Sequence, residues 1–385
     1  MVISRAPVRI SFGGGGTDLE AYYARFGGFV LSTAIDRYCY VEATEPSDGG
    51  IHIYAAEPPG FDAHAVGFLP AVEGALALPA AAIELFAQRG LAQRGVRLAL
   101  SSDVPSGTGL GSSSAMAVAL IHGLAGYLGI SLNPATVADL ACRLEIERLQ
   151  MPIGKQDQYA SAFGGLNTIE FTTTEVRVTP LDLPVRIQRE LRARLLLFST
   201  GQRHNSSAIL NRQRNDSLRK SSVAGRLHRI KTYGLAMRDA LLAADLDGFG
   251  ALLDRAWREK RQLTSDISNA SIDTWYAEAR RAGALGGKIT GAGGGGFLLL
   301  YTPPERAGDV RLAMERCGLR ELPFDFDHDG VCTLDCLPHR DGERLPRKSD
   351  TGRFHIARRV DAGMAGCGEW RRVTLPPVEG GVSHA

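Results

Sequence analysis

The sequence predicts a mixed α+β protein folded as two lobes. A chain of 385 residues is longer than one compact core usually holds. Segments with strand-like alternation are interleaved with helical stretches along most of the chain. We therefore expect an N-terminal domain over 1–185, a C-terminal domain over 186–335 and a tail over 336–385.

The N-terminal half begins with a strand and a glycine break. Residues 2–12 alternate and contain β-branched side chains, and Gly13–Gly16 end that strand. Thr17 is then a candidate N-cap for a helix. Further strands are expected over 28–44, 52–54 and 96–100, helices over 80–93, 115–128 and 133–148, and a hairpin over 165–178.

The C-terminal half continues this mixture and gives way to a different kind of sequence. Strands are expected over 195–198, 288–301 and 330–334, and helices over 207–243, 246–264, 271–283 and 305–317. The last fifty residues mix Arg, Gly, Pro and Asp with little periodicity. The tail is therefore expected to be loosely ordered.

Composition and charge exclude several classes of partner. The formal net charge is +2 without one long basic block, so a nucleic-acid partner is not expected. Of six cysteines only Cys332 and Cys336 lie close, and no second pair completes a zinc site. The N-terminus has no signal-peptide pattern, and the apolar run 115–130 is shorter than a membrane span. We expect a cytoplasmic protein with reduced cysteines and no membrane partner.

The strongest chemical signal is the segment PSGTGLGSSS, residues 105–114, which opens directly onto an apolar helix. Glycines let backbone N–H groups approach a ligand, and a helix start adds unpaired donors and a positive dipole end, which favour phosphate. The hydroxyls of Ser112–Ser114 can bind magnesium or cap the helix. No lysine follows, so this is not a G-x-x-x-x-G-K-[ST] loop. A tight turn capped by serine is the alternative.

Two further glycine-rich segments accompany it. Residues 9–18 (RISFGGGGTD) follow a strand, with Asp36 about 20 residues further on, so a dinucleotide site is an alternative for this segment alone. Four consecutive glycines do not need the spacing of that motif. Residues 288–301 lead glycines into an apolar strand, which is typical of a loop packed against another backbone or a ligand.

Together, and in this order, the three segments resemble those of the GHMP kinases, the family of galactokinase, homoserine kinase, mevalonate kinase and phosphomevalonate kinase. Residues 105–114 fit the family motif P-x-G-x-G-L-[GS]-S-S-[AS] throughout. The resemblance covers about residues 1–335. It implies a ribosomal-protein-S5-like N-terminal lobe, a ferredoxin-like C-terminal lobe and an active site between them. Residues 154–165, 199–207 and 283–297 are most similar to the branch acting on D-glycero-D-manno-heptose 7-phosphate.

The resemblance implies an ATP- and magnesium-dependent kinase. The triphosphate would be bound by Pro105, Gly107, Thr108, Gly109, Leu110, Gly111, Ser112, Ser113 and Ser114. Ser113 and Glu147 would hold magnesium, with a solvated helix carboxylate as the alternative for Glu147, while Glu145 would point elsewhere on the helix. Asp157 matches the catalytic aspartate, which takes or orients the hydroxyl proton. Arg9 would hold that aspartate and offset charge on the transferring phosphoryl group.

The acceptor is expected to be a sugar phosphate. Asp18 matches the aspartate that binds sugar hydroxyls in galactokinases, which place Glu and His where this chain has Gly15 and Gly16. Two missing side chains leave room for a larger or phosphorylated sugar. The acceptor site is also expected to include Gly14, Gly15, Gly16, Thr17, Lys155, Gly293 and Gly294. An anionic substrate needs cations, so Arg203 with Ser206 and Ser207 is the candidate clamp for a distal phosphate. A polar surface turn that caps the helix from 207 onward is the alternative for this loop.

The expected product is a heptose 1,7-bisphosphate, phosphorylated at the anomeric hydroxyl, for nucleotide-activated heptose biosynthesis. Two alternatives stay open: a kinase of this fold for another sugar or small phosphorylated alcohol, and a non-catalytic binding protein on the same fold. Asp157, Glu147 and the serines disfavour the second, because a binder needs no general base. A monomer or a homodimer is expected.

Overall fold

The computed structural model describes residues 1–56, 59–202, 208–212, 216, 221–334, 355–360 and 369–374. The chain divides into two compact units, residues 1–335 and 336–385. The first unit contains both large sheets. In the second, His355–Val360 and Glu369–Thr374 pair as an antiparallel hairpin, two strands that the sequence analysis did not predict.

An eight-stranded sheet forms the N-terminal part of the first unit. Its strands are β1 (Val2–Gly13), β2 (Gly28–Thr44), β3 (Ile51–Ala56), β4 (Pro59–His64), β5 (Val96–Ser102), β6 (Leu166–Phe171), β7 (Val176–Pro180) and, from later in the chain, β12 (Cys332–Leu334). The order is β12-β1-β2-β5-β3-β4, and only β3 and β5 pair in parallel. The long β2 branches the sheet, because residues 28–33 pair with β6 and residues 39–44 with β5.

Five helices pack in the same part of the unit. They are α1 (Glu20–Phe26), α2 (Ala77–Phe86), α3 (Ser112–Tyr127), α4 (Pro134–Cys142) and α5 (Gln156–Phe163). Helix α3 contacts β1 and β2 as well as α2, α4 and α5, so it is apolar on nearly every side. Among the described residues one stretch, Gly74–Arg94, is long and apolar enough for a membrane span, but most of α2 within it is buried in this core.

A second, four-stranded antiparallel sheet follows in the chain. Its order is β11-β8-β10-β9, formed by β8 (Leu195–Ser199), β9 (Gly286–Ile289), β10 (Phe297–Tyr301) and β11 (Arg320–Glu321). Its helices are α6 (Val185–Ala193), α7 (Ser221–Leu242), α8 (Leu246–Lys260), α9 (Ala270–Arg281) and α10 (Ala307–Arg316). One hydrophobic cluster joins Ile10 and Phe12 of β1 to Leu197, Phe249 and Leu299. This packing fixes the carboxyl end of β1 against the second sheet.

Local structure differs from expectation at several places. The helix expected at Thr17 begins at Glu20, and Leu19 is its N-cap residue. Thr17 is buried, where its hydroxyl donates to the Gly14 carbonyl at 2.7 Å and accepts from the Phe29 N–H at 3.0 Å. The helix expected over 133–148 becomes a π turn from Arg143 to Arg148. Strand β4 and helices α5 and α6 were not predicted, and the start of the helix expected over 207–243 falls largely outside the described residues.

Candidate active site

A cavity of about 370 Å³ opens where the end of β1 meets the glycine-rich segment before α3. Its wall also includes the chain leading into α5, the end of α8 and the loop after β9. The lining residues are Arg9, Ser11, Gly15, Gly16, Asp18, Leu19, Gly107, Gly109, Gly111–Ser114, Glu145, Met151, Ile153, Gly154, Gln156, Asp157, Leu210, Lys260, Lys288, Gly291 and Ala292.

The start of α3 supplies backbone donors to this cavity. Gly111 occupies the N-cap position with a left-handed backbone (φ 78°), and among the described residues no side chain caps this helix end. The first N–H groups of a helix have no partner within it, and the dipole makes this end positive. Ser112, Ser113 and Ser114 line the same wall. The arrangement suits a polyphosphate, as expected from the sequence.

Arg9 and Asp157 form a two-pronged ion pair in the cavity wall. Arg9 Nε lies 2.7 Å from Asp157 Oδ1, and Nη2 lies 2.5 Å from Oδ2. The third arm of the guanidinium, Nη1, donates to the Gly109 carbonyl at 2.7 Å. The Arg9 side chain is 4% exposed and that of Asp157 is 21% exposed, so the guanidinium is buried and the carboxylate remains partly accessible. A bidentate contact of this kind fixes the orientation of the carboxylate as well as its distance.

Glu145 is the second carboxylate of the cavity. It is fully buried, with Ser113 Oγ donating to Oε1 at 2.7 Å and Gln158 Nε2 donating to Oε2 at 2.6 Å. Burial raises the pKa of Glu145 to about 7; hydrogen bonds from the serines and Gln158 act in the opposite direction, and the charge of Asp157 adds to the increase. A buried carboxylate that is costly to ionise is a natural partner for a cation.

The expected magnesium ligand Glu147 is not in this cavity. Glu147 is exposed, whereas Glu145 contacts Ser113. Both residues lie in the π turn from Arg143 to Arg148, where two positions along the chain correspond to roughly half a turn, so only one of the two can face inward. The prediction that Glu147 lies beside the serines is therefore wrong, and Glu145 occupies that position.

The residues present fit a magnesium ion. Magnesium is usually held by one or two carboxylates together with substrate phosphates and water, rather than by an all-protein cage. Glu145 and the Ser113 hydroxyl provide such an incomplete set of oxygen ligands. Within the part of the chain that the structure describes, no three His, Cys, Asp or Glu side chains cluster as a complete metal site.

Asp18 also lies in the wall of the cavity. It is 2% exposed; its Oδ1 accepts the Gly16 N–H at 2.9 Å and its Oδ2 accepts Gln156 Nε2 at 3.0 Å. Burial, and then the charge of Asp157, raises the pKa of Asp18. Gln156 Oε1 and Ser11 Oγ are buried without a hydrogen-bond partner among the described residues. The pocket wall therefore contains polar atoms that a sugar hydroxyl or phosphate could satisfy.

Three of the residues predicted for the nucleotide site make contacts within the protein. Pro105, Thr108 and Leu110 do not line the cavity. The Thr108 hydroxyl donates to the Pro105 carbonyl at 2.7 Å, which closes the turn. Leu110 is fully buried, and its carbonyl accepts the Arg9 N–H at 2.9 Å. These residues shape the loop, and its glycines and serines face the cavity.

Part of the predicted acceptor set lies outside the wall of this cavity. Gly14, Thr17, Lys155, Gly293 and Gly294 do not line the cavity, although Gly15 and Gly16 do. The Lys155 ammonium lies 5.7 Å from the centre of the Tyr23 ring, and the Gly294 N–H donates to the Ile267 carbonyl at 2.9 Å. The predicted clamp of Arg203, Ser206 and Ser207 lies outside the described residues.

Five polar side chains of the cavity wall were missed from the sequence: Ser11, Glu145, Gln156, Lys260 and Lys288. Lys288 carried a usable signal, since it is a single charge inside an otherwise uncharged strand and glycine segment, GGKITGAGGGG. Lys260 ends an ordinary amphipathic helix among other charges, and nothing in the sequence distinguished it. The position of Glu145 depended on the π turn, which has no clear sequence signature.

The fold and this cavity together define a small-molecule kinase. Models of the GHMP kinases N-terminal domain and the GHMP kinases C-terminal domain match residues 77–165 and 237–319. The chain is 30% identical over 333 residues to D-glycero-alpha-D-manno-heptose 7-phosphate kinase of Campylobacter jejuni, covering 85% of this chain and 97% of that protein. The chain belongs to the GHMP kinase family.

Solved structures agree with this assignment. A D-glycero-D-manno-heptose 1-phosphate kinase from Bacteroides thetaiotaomicron is 27% identical with a TM-score of 0.74, covering 88% of this chain and 100% of that one. A putative sugar kinase from Campylobacter jejuni is 30% identical with a TM-score of 0.71, covering 86% and 98%. The predicted two-lobed GHMP kinase fold and the sugar kinase activity are confirmed, and ATP is the cofactor of this family.

Proposed function

We propose that the protein transfers the γ-phosphoryl group of ATP to the anomeric hydroxyl of a heptose 7-phosphate, giving the 1,7-bisphosphate. The observation that carries this proposal is the central position of Asp157. Its charge raises the pKa of Glu145, beside the serines, and the pKa of Asp18, at the acceptor wall. One carboxylate therefore interacts with both the nucleotide side and the acceptor side.

The nucleotide side binds the triphosphate through the start of α3. Gly107, Gly109 and Gly111 let the backbone approach the phosphates, and Ser112 to Ser114, the first residues of the helix, line the same space. Magnesium, held by Glu145 and Ser113, would neutralise charge on the β- and γ-phosphates. These groups position the γ-phosphorus in front of Asp157 without covalent chemistry by the protein.

Asp157 acts on the acceptor hydroxyl. As the hydroxyl oxygen bonds to the γ-phosphorus, the bond from phosphorus to the ADP oxygen breaks and the hydroxyl proton passes to the Asp157 carboxylate. Arg9 keeps that carboxylate in place through its two hydrogen bonds and adds positive charge near the transferring group. The Asp18 carboxylate and Gln156 Oε1 accept hydrogen bonds from the other hydroxyls of the sugar.

Two observations support heptose 7-phosphate as the acceptor. The chain lacks side chains at Gly15 and Gly16, which line the acceptor wall and leave room there. The curated relative at 30% identity bears a heptose 7-phosphate kinase name. The solved relative from Bacteroides is named a heptose 1-phosphate kinase, so a heptose 1-phosphate acceptor is the second candidate.

A coupled ADP-release assay against a panel of sugars and sugar phosphates tests the proposal. It should include both heptose monophosphates, the unphosphorylated heptose, galactose and mevalonate. The proposal predicts magnesium-dependent turnover that is highest with heptose 7-phosphate. Turnover only with unphosphorylated acceptors, or with heptose 1-phosphate in preference to the 7-phosphate, would refute the acceptor assignment while leaving the kinase activity intact.

A further inference from the structure

Two lysines are buried in the wall of the candidate active site. Lys260, at the end of α8, is 8% exposed, and Lys288, in β9, is 6% exposed. Both line the cavity together with Ser11 and Asp18. Lysine is among the residues least often buried, because removing its charge from water is costly unless an opposite charge compensates.

The described residues provide no such compensation by direct contact. Lys288 Nζ donates to the carbonyls of Ser11 at 2.7 Å and Phe12 at 3.4 Å, and Lys260 Nζ donates to the carbonyl of Gly291. Among those residues neither ammonium forms an ion pair. An ammonium has three N–H donors, so among the described residues two donors of Lys260 and one of Lys288 have no acceptor.

The electrostatic surroundings also lack a matching negative charge. Burial is the main cause that lowers the pKa of Lys260, to about 8, and the positive charge of Arg9 lowers it further. Burial lowers the pKa of Lys288 well below its usual value, and the charges of Lys260 and Arg9 act in the same direction. The negative charge of Asp18 offsets part of this lowering of the pKa in both lysines. Because Arg9 is already paired with Asp157, the two lysines are left with the single negative charge of Asp18, so this part of the cavity wall is positive.

Ser11 adds an independent sign of a ligand. Its side-chain oxygen is buried and has no hydrogen-bond partner among the described residues, and it lines the cavity beside the two lysines. A Cβ placed on Gly15 would lie 3.6 Å from this oxygen, so the hydroxyl is next to the open glycine wall. A hydroxyl and two ammonium groups with spare donors match the oxygens of a phosphate.

Resting on the proposed function, we infer that Lys260, Lys288 and Ser11 bind the phosphate group that the acceptor sugar already carries. This subsite is formed by other residues than the clamp of Arg203, Ser206 and Ser207 expected from the sequence. It explains why a kinase cavity retains two buried cations next to the residue that holds the sugar hydroxyls.

The partners of the lysines indicate that they bind the phosphate already on the acceptor rather than the phosphoryl group that is transferred. Asp18, which contacts Gln156 on the acceptor wall, is the carboxylate that influences both lysines. Glu145, on the nucleotide side, is instead influenced by Asp157 and held by Ser113. A phosphate bound by the lysines would therefore be on the side of the cavity where the sugar is held.

Calorimetric titration of the full chain, saturated with a non-hydrolysable ATP analogue and magnesium, tests the subsite. Dissociation constants are measured for heptose 7-phosphate and for the unphosphorylated heptose, with wild type, Lys260→Met and Ser11→Ala. Lys260→Met should lose about tenfold to a hundredfold of the preference for the phosphorylated sugar, while the constant for the heptose changes little. Ser11→Ala should lose a smaller part of that preference and leaves the contacts of Lys288 intact.

Lys231→Met is the matched control. Lys231 Nζ also donates to two consecutive carbonyls, those of Phe26 at 2.9 Å and Gly27 at 3.0 Å, but it does not line the cavity. This variant should keep the full phosphate preference. An equal loss of affinity for both sugars in Lys260→Met, or a loss for the ATP analogue alone, would overturn the inference. Loss of the preference in Arg203→Ala but not in Lys260→Met would overturn it as well.

The outcome remains informative if the proposed acceptor is wrong. In that case wild type binds neither heptose, and inorganic phosphate is titrated into the nucleotide-saturated protein instead. Phosphate binding that Lys260→Met abolishes and Lys231→Met retains supports the subsite without the heptose. Equal phosphate binding by wild type and Lys260→Met, or none by either, overturns it.

Discussion

Arg9 and Asp157, separated by 148 positions in the sequence, meet through two hydrogen bonds of 2.7 and 2.5 Å. Arg9 belongs to β1, and Asp157 is in the first turn of α5. The same guanidinium donates to the carbonyl of Gly109 in the glycine-rich segment before α3. One side chain thus links β1, the glycine-rich segment and the proposed general base, so their relative positions are set together.

Replacing Asp157 with asparagine should remove most of the catalytic rate. Asp157→Asn retains the shape of the side chain but cannot accept a proton as a carboxylate does, so kcat should fall about 10²- to 10⁴-fold. The KM values for ATP and acceptor should change only severalfold, because binding depends on other residues. Steady-state kinetics by coupled ADP release measures both.

Asp139→Asn is the control for that variant. Asp139 also pairs with an arginine, Arg143 at 3.0 Å, but both side chains are largely exposed. An exposed pair contributes little to stability, and this one is outside the cavity, so kcat should equal that of wild type. A near-normal kcat for Asp157→Asn would remove the proton-acceptor role from the mechanism.

Glu145 and Glu147 should differ sharply in their effect on magnesium dependence. Glu145→Gln removes the charge that faces Ser113, so the magnesium concentration for half-maximal activity should rise at least tenfold. Glu147→Gln alters an exposed carboxylate two positions away and should leave it unchanged. Titration of activity with magnesium at fixed ATP compares the two. A shift in Glu147→Gln alone would restore the original sequence-based assignment.

The stability of the metal-free protein should depend on pH through Glu145. Burial raises the pKa of this group from 4.5 to about 7 in the folded state. The folded protein therefore binds this proton more tightly, and the contribution to stability, complete below pH 4.5, is lost as the pH rises through 7. As the pH rises across this window, the unfolding free energy of wild type should therefore fall relative to that of Glu145→Gln by on the order of 2–3 kcal/mol.

Urea unfolding in the presence of a chelator, repeated from pH 4.5 to 8, measures that difference. The substitution is well suited to the site, because Gln158 has a buried Oε1 without a partner among the described residues, and rotating its amide would accept the new N–H. If the unfolding free energy of wild type instead rose relative to that of the variant with increasing pH, the folded protein would stabilise Glu145 as an anion. That result would contradict a pKa raised by burial.

Two glycines with the same backbone conformation should respond differently to alanine. Gly109 (φ +82°) and Gly129 (φ +74°) both have left-handed backbones, which cost an alanine on the order of 1 kcal/mol. A Cβ on Gly109 would lie 2.6 Å from the Thr290 carbonyl oxygen, whereas one on Gly129 meets nothing within 4 Å. Gly109→Ala should raise the KM for ATP at least tenfold, because the loop must move. Equal effects of the two variants on this KM would show that the close packing of the loop is unimportant.

Much of this organisation could be predicted from the sequence because it depends on local signals. The glycine- and serine-rich segment 105–114 before an apolar helix indicated a phosphate site, and the alternation of β1 indicated a strand. Asp157, Arg9 and Asp18 were identified through the resemblance to a family, and the structure brings all three to one cavity.

The errors share a physical origin in details that only three-dimensional packing decides. The choice between Glu145 and Glu147 depended on a π turn, and the burial of Thr17 depended on its bonds to Gly14 and Phe29. Lys260 is brought to the site by packing of its helix against β9 and β1, and no local pattern reports that contact. Residues that bind through tertiary packing were therefore missed.

The ³¹P NMR spectrum of the product formed from ATP, magnesium and heptose 7-phosphate tests the central claim most directly. The account predicts ADP together with a sugar that shows two phosphate resonances, the new one coupled to the anomeric proton, and no such product with Asp157→Asn. A new phosphate coupled to any other proton of the sugar, or no new sugar phosphate from the wild-type protein, would contradict it.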